Sequence, residues 1–251
     1  MSLRVIAKLD VKPPFVVKPV HFEGLRKIGT PSDLALKYYQ QGADEVMYVD
    51  IVASLYQREI LYQYIEETAN ELFIPMGVGG GVRSVDDFSK LFHSGADKVL
   101  INTSVLQSDP SLIRDASSIF GAQSVVLNIE AKKWTDHWEC YSDCGRIRSG
   151  RSVTDWVTEA VELGVGEIML QSVDCDGRRR GFDIDLVASV TDRVSVPVIA
   201  ASGAGSLQHI LDVVKNGKPD AVAVASLLHY DIATIRDIKM FLIENGIEVS
   251  L

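Results

Sequence analysis

The chain has 251 residues, 47% hydrophobic and 24% charged, which is enough apolar material for one sizeable core and excludes a disordered chain or a disulfide miniprotein. Its 34 acidic and 25 basic residues give a net charge of -9, so no positive field draws it to nucleic acid or to an anionic membrane, and any anion it binds must be held by a local site. Three cysteines, Cys140, Cys144 and Cys175, are too few for a disulfide framework, and no segment reads as a signal peptide or a membrane span, so the expectation is a soluble cytoplasmic protein.

Short β-rich apolar runs recur along the chain: 5–9, 46–49, 73–78, 99–101, 125–129, 168–170, 196–200 and 221–224. Between them lie amphipathic stretches with polar starts that read as helix caps, at 31–41, 84–94, 152–163 and 207–216. Continuous apolar strands alternating with helices imply parallel strands buried on both faces. Eight such units with no Pro/Gly/Ser-rich linker predict a single (β/α)8 TIM barrel over residues 1–251.

The sequence also repeats itself at about half its length. Val5-Ile6-Ala7-Lys8-Leu9-Asp10-Val11-Lys12 is similar to Val125-Val126-Leu127-Asn128-Ile129-Glu130-Ala131-Lys132, and the stretch from Asp97 to Thr103 echoes that from Asp220 to Ser226. An internal half-barrel repeat follows, in which each feature of the rim has a counterpart across the axis. Barrel enzymes work at the C-terminal ends of their strands, and Asp10 and Glu130 close the first and fifth. Such a pair could act as general acid and base; alternatively each carboxylate pairs with a neighbouring lysine, Lys12 or Lys132.

Glycine-rich turns after the third and seventh strands offer backbone N–H groups, and hydroxyls follow the fourth and eighth strands. This occurs twice, at Gly80-Gly81 with Thr103-Ser104 and at Ser202-Gly203 with Ser226, so the expected ligand is elongated with a phosphate at each end. After the sixth strand, Asp174, Asp176 and Gly177 precede Arg178-Arg179-Arg180; the aspartates could bind ligand hydroxyls and the arginines phosphate, or the segment is an exposed polar loop. His137, Cys140 and Cys144 have zinc-like spacing but no evident fourth ligand, and Trp138, Tyr141 and Ile147 suggest a small hairpin instead. No motif demands a cofactor or a metal.

Leu9-Asp10-Val11-Lys12, Val16-Val17-Lys18, Val78-Gly79-Gly80-Gly81-Val82-Arg83, Gly95-Ala96-Asp97-Lys98-Val99, Ile101-Asn102-Thr103, Asp174-x-Asp176-Gly177 and Ala204-Gly205-Ser206 together resemble the cyclase subunit of imidazole glycerol phosphate synthase, across nearly the whole chain. The resemblance implies a (β/α)8 barrel that takes ammonia from a separate glutaminase subunit docked at its N-terminal face. It implies conversion of a bisphosphorylated ribulosyl aminoimidazole-carboxamide nucleotide to imidazole glycerol phosphate and an aminoimidazole-carboxamide nucleotide, a step of histidine biosynthesis. It implies Asp10 and Glu130 as the catalytic pair, with Lys18, Gly80, Gly81, Asn102, Thr103, Gln171, Asp174, Asp176, Gly177, Ser202, Gly203 and Ser226 around the substrate. Arg4, Glu45, Lys98 and Glu167 match a charged ammonia gate at the base of the barrel, and Asp97 and Gln123 match the glutaminase interface. The chain departs from the family at the mouth: Glu130 stands for an aspartate, Gln171 and Gly77 for threonines, and Pro13-Pro14-Phe15 stiffens a first loop that is normally mobile. Those departures keep open an alternative, a paralogue that channels ammonia for amidination of a surface-polysaccharide sugar.

Overall fold

The computed structural model describes residues 2–20, 23–54, 56, 60 and 62–251. In chain order its strands are β1 (Arg4–Lys12), β2 (Phe15–Val20), β3 (Glu23–Gly29), β4 (Glu45–Asp50), β5 (Met76–Gly79), β6 (Lys98–Ile101), β7 (Val125–Trp134), β8 (His137–Ser142), β9 (Ile147–Ser152), β10 (Glu167–Ser172), β11 (Val198–Ala201) and β12 (Ala221–Val224). Eight of them, β1, β4, β5, β6, β7, β10, β11 and β12, pair in parallel, each with the next, and β12 returns to β1, with Arg4 opposite Ala221, so the sheet closes into the expected (β/α)8 barrel.

The remaining strands are additions to the two halves. After β1 the chain turns at Pro13-Pro14 and runs back antiparallel as β2, which pairs with β3; after β7 it turns at Thr135-Asp136 into β8, which pairs with β9. The stiff first loop of the sequence reading is therefore the turn of a β-ribbon, and the ribbons extend the first strand of each half, as a half-barrel repeat requires.

Side-chain alternation divides the core into two clusters. Outward-facing residues such as Val5, Leu9, Val46, Leu127, Ile168 and Val222 are buried beneath the surrounding helices. Inward-facing residues, among them Ile6, Met47, Leu100, Val126, Met169 and Ile199, fill the middle of the barrel. Burying one such aliphatic side chain is worth about 2 kcal/mol, and the closed geometry lets every strand bury both faces.

The expected helices form within a residue or two of their predicted bounds. Thr30 caps Pro31–Gln40, Ser84 and Asp87 form a reciprocal capping box on Val85–His93, Ser152 caps Val153–Leu163, and Ser206 caps Leu207–Gly217. The third and seventh barrel strands start later than the apolar runs suggest, at Met76 and Val198 rather than at 73 and 196. Pro75 and Pro197 lie just ahead of them, and a residue without an N–H cannot donate to the ladder.

Candidate active site

The C-terminal ends of the strands open onto a cavity of about 640 Å³, lined by Gly80, Gly81, Asn102, Thr103, Glu130 and Gln171 among others. Gly80 and Gly81 have φ of +105° and +77°, and a Cβ on Gly80 would sit 2.2 Å from the Asp50 carbonyl oxygen, so the turn needs glycine for both conformation and space. Asn102 precedes the helix Thr103–Gln107, whose opening backbone N–H groups have no partner within the helix. Two residues lining the cavity, Ser104 and Gln171, hold buried polar atoms (Oγ and Oε1) with no partner among the described residues.

Across the mouth lies a second cavity, small at about 20 Å³ and lined by Lys18, Asp176, Gly177, Ser202, Gly203 and Ser226 among others. Its geometry copies the first. Ser202 and Gly203 have φ of +73° and +108°, a Cβ on Gly203 would meet the Gly181 carbonyl oxygen at 2.1 Å, and Ala225 precedes Ser226–His229 with backbone angles close to those of Asn102. A serine held in the left-handed region at the matched position shows that the backbone shape is kept even where the residue is not glycine.

Between the two lie the acids, in opposite states. Glu130 is buried at the end of β7 and accepts a hydrogen bond from the Gly145 N–H at 2.8 Å. Burial raises its carboxyl to about 7, against the opposing pull of that N–H and of the Lys8 charge. It makes no ion pair with Lys132. Asp10, across the barrel on β1, is fully buried, and its two carboxylate oxygens receive Lys8 and Lys18, the latter at 3.2 Å. Burial alone would raise the Asp10 carboxyl; the two ammonium charges outweigh it and hold the group well below the ordinary carboxylate range. The expected pairing of Asp10 with Lys12 is replaced by Lys8 and Lys18, and the carboxylate lines neither cavity.

Lys18 reaches Asp10 from β2 and also donates to Asp176 Oδ1 at 3.3 Å, and Ser202 Oγ donates to the same oxygen at 3.4 Å, so the first ribbon is tied to the second cavity. Asp174, expected near the ligand, has a contact within the fold. Its carboxylate accepts the Lys133 N–H at 2.8 Å, clamping β7 to the loop after β10, and it lines neither cavity. Gln171 donates from Nε2 to Asn128 Oδ1 at 2.7 Å, placing both on the floor of the large cavity. The zinc reading of His137, Cys140 and Cys144 fails on geometry: β8 and β9 form the hairpin, Cys144 donates to the Ile51 carbonyl at 2.8 Å, and the described residues contain no metal-holding group of His, Cys, Asp and Glu.

At the opposite end of the barrel, the four charges singled out in the sequence meet. Arg4 bonds Glu45 at 2.9 Å and also Glu167, and Lys98 bonds Glu45 at 3.0 Å and Glu167 at 2.7 Å, closing a ring of two cations and two anions. Asp97 and Gln123 are exposed on the same side. Asp97 has an internal task as well: its carboxylate accepts the Met76 N–H at 2.8 Å, as Asp44 does for Val5 and Asp220 for Val198, so the same strand-start clamp recurs around the barrel.

Sequence reasoning gave no site role to Lys8, Asn128 or Gly145, and weighed Cys144 only as a zinc ligand. Lys8 had a signal, since alternation along β1 puts Arg4, Ile6, Lys8 and Asp10 on one face; Gly145 had none, since it reaches Glu130 only through the fold of the hairpin.

A family model described as histidine biosynthesis protein matches residues 4–234. The chain belongs to that family. The histidine biosynthesis proteins of this family are enzymes, and the barrel, the doubled glycine-rich turns and the clustered charges described above are this member's version of the fold. No helix among the described residues is long and apolar enough to cross a membrane.

Proposed function

We propose that the chain is the cyclase-type subunit of a glutamine-dependent synthase, which binds a bisphosphorylated ribulosyl aminoimidazole-carboxamide nucleotide across its mouth and uses ammonia from a partner glutaminase to form imidazole glycerol phosphate and an aminoimidazole-carboxamide nucleotide. The observation that carries this over an isomerase role within the same family is the ring of Arg4, Glu45, Lys98 and Glu167 at the N-terminal end, where ammonia would enter from a subunit docked near Asp97 and Gln123. Isomerisation of a sugar phosphate needs the two anion cavities but no ammonia.

In this reading Gly80, Gly81 and Thr103 hold one phosphate and Gly177, Ser202, Gly203 and Ser226 the other, so binding energy at both ends fixes the reacting centre between them. Glu130 is the proton carrier. A carboxyl poised near neutrality can give a proton to the departing nitrogen and take one back during ring closure. Asp10 supports the same centre through the lysines it anchors.

The test is steady-state turnover of the ribulosyl bisphosphate by the purified protein with ammonium salt at high pH, which removes the need for a glutaminase. Formation of imidazole glycerol phosphate supports the cyclase reading. Thermal protection by the substrate without turnover supports the second reading, ammonia delivery to another phosphorylated acceptor in sugar amidination, which Glu130 and Gln171 at the mouth favour.

A further inference from the structure

Among the described residues, Lys8 alone lines both cavities described above. It projects inward from β1, buried to within 4% of full coverage, and ion-pairs with Asp10, which is itself hidden from both cavities. Its position is not explained by Asp10 alone. Lys18 is shared between Asp10 and Asp176, so Lys8 completes a buried cluster of two cations and two anions, but pairing with Asp10 does not require it to reach both cavities. An ammonium has three donors, and the Asp10 bond uses one of them, leaving N–H groups beside the route between the two phosphate positions.

We propose that Lys8 grips the middle of a two-phosphate ligand, donating to a carbonyl or hydroxyl oxygen of the segment between the phosphates, and that Asp10 is the buried counter-ion that aims it. This rests on the two-phosphate reading above and adds to it a specificity residue. The chemical class selected is a bisphosphate with an oxygenated linker, as in a ribulosyl chain. A bisphosphate of equal length with a bare hydrocarbon linker fills both anion cavities but leaves Lys8 without an acceptor.

The experiment is calorimetric titration, in ammonia-free buffer, of the parent protein and the Lys8→Met variant with two probes: the ribulosyl bisphosphate and an alkanediol bisphosphate of matched length. The parent is expected to prefer the ribulosyl probe by about tenfold or more, the scale of one charge-assisted hydrogen bond, and Lys8→Met to lose that preference while keeping its affinity for the alkanediol probe. Equal loss for both probes, or no loss for either, overturns the assignment. A parent that binds the alkanediol probe upholds the two-phosphate reading whatever Lys8 does; a parent that binds neither probe overturns both. Should Lys8→Met fail to fold, Lys8→Met with Asp10→Asn removes the charge pair together and carries the same comparison, since deleting both partners avoids the stranded charge.

Discussion

Glu130 and Asp10 end strands that face each other across the barrel, and their neighbours set them in opposite protonation states. For Glu130, burial favours the neutral acid, so the folded state holds its proton up to about pH 7 while the unfolded chain releases it near 4.5. Between those values the native state binds more protons than the unfolded one, and stability falls as pH rises, by on the order of 3 kcal/mol in total. His229 works the other way: burial lowers its ring to about 4, so stability falls as pH drops below the ordinary histidine value of 6.5. Comparing the parent with Glu130→Gln in urea unfolding from pH 4.5 to 8 isolates the first effect. The variant is expected to gain relative stability as pH rises and to lose turnover; a difference that stays flat with pH would contradict the buried-acid state. Asp10→Asn has the reverse sign, because it leaves Lys8 and Lys18 buried with less compensation, and a loss of about 3–5 kcal/mol is expected in the same assay at neutral pH.

Elements position the site through turns and ribbons rather than through the strands alone. The turn after β5 is the tightest case. Gly80→Ala places a methyl group against the Asp50 carbonyl oxygen and a side chain at a φ of +105°, so a loss of stability of about 2 kcal/mol or more and a loss of affinity for the bisphosphate are expected, read by thermal melting with and without ligand. The β8–β9 ribbon acts at longer range: Gly145 donates to Glu130, and the Asp143 N–H donates to Thr103 Oγ1 at 3.2 Å, so one loop holds both the acid and a hydroxyl of the large cavity. The β1–β2 ribbon does the corresponding work in the other half, bringing Lys18 over Asp10 and Asp176.

For the whole molecule, the two ends of the barrel have separate tasks. The charge ring closes the N-terminal end, the aliphatic layer of Ile6, Met47, Val126, Met169 and Ile199 fills the middle, and the lysines and acids gather at the C-terminal end. Glu167→Gln breaks two of the ring's ion pairs, leaving Arg4 and Lys98 to share Glu45. Because Arg4 keeps contact with solvent, the expected loss is about 2 kcal/mol, less than for a fully buried pair, measured by urea unfolding at low and high salt. Under the cyclase reading, glutamine-driven turnover should fall further than ammonium-driven turnover in the same variant, since only the first passes the ring.

The eight strand-and-helix units, the half-barrel repeat and the doubled glycine turns were legible in the sequence because each rests on local information: alternation, caps, and the demand of a tight turn for glycine or a left-handed residue. The ring of Arg4, Glu45, Lys98 and Glu167 was legible through the family resemblance, and the structure brings all four together. Ion-pair partners were not legible. Lys8 and Lys12 each stand two residues from Asp10, so alternation alone does not choose between them; the fold does, because Lys8 is buried inside the barrel while Lys12 is exposed at the end of β1, and Lys18 arrives only because β2 folds back. Asp174 was expected at the ligand because of its motif, and its contact with the Lys133 backbone N–H was not legible, because only the fold brings the loop after β10 beside β7. The sequence by itself thus determined the barrel and the two glycine-rich turns, where neighbouring residues decide the shape; only the tertiary structure decided which charges meet and which acid keeps its proton, because burial and through-space partners depend on strands far apart in the chain.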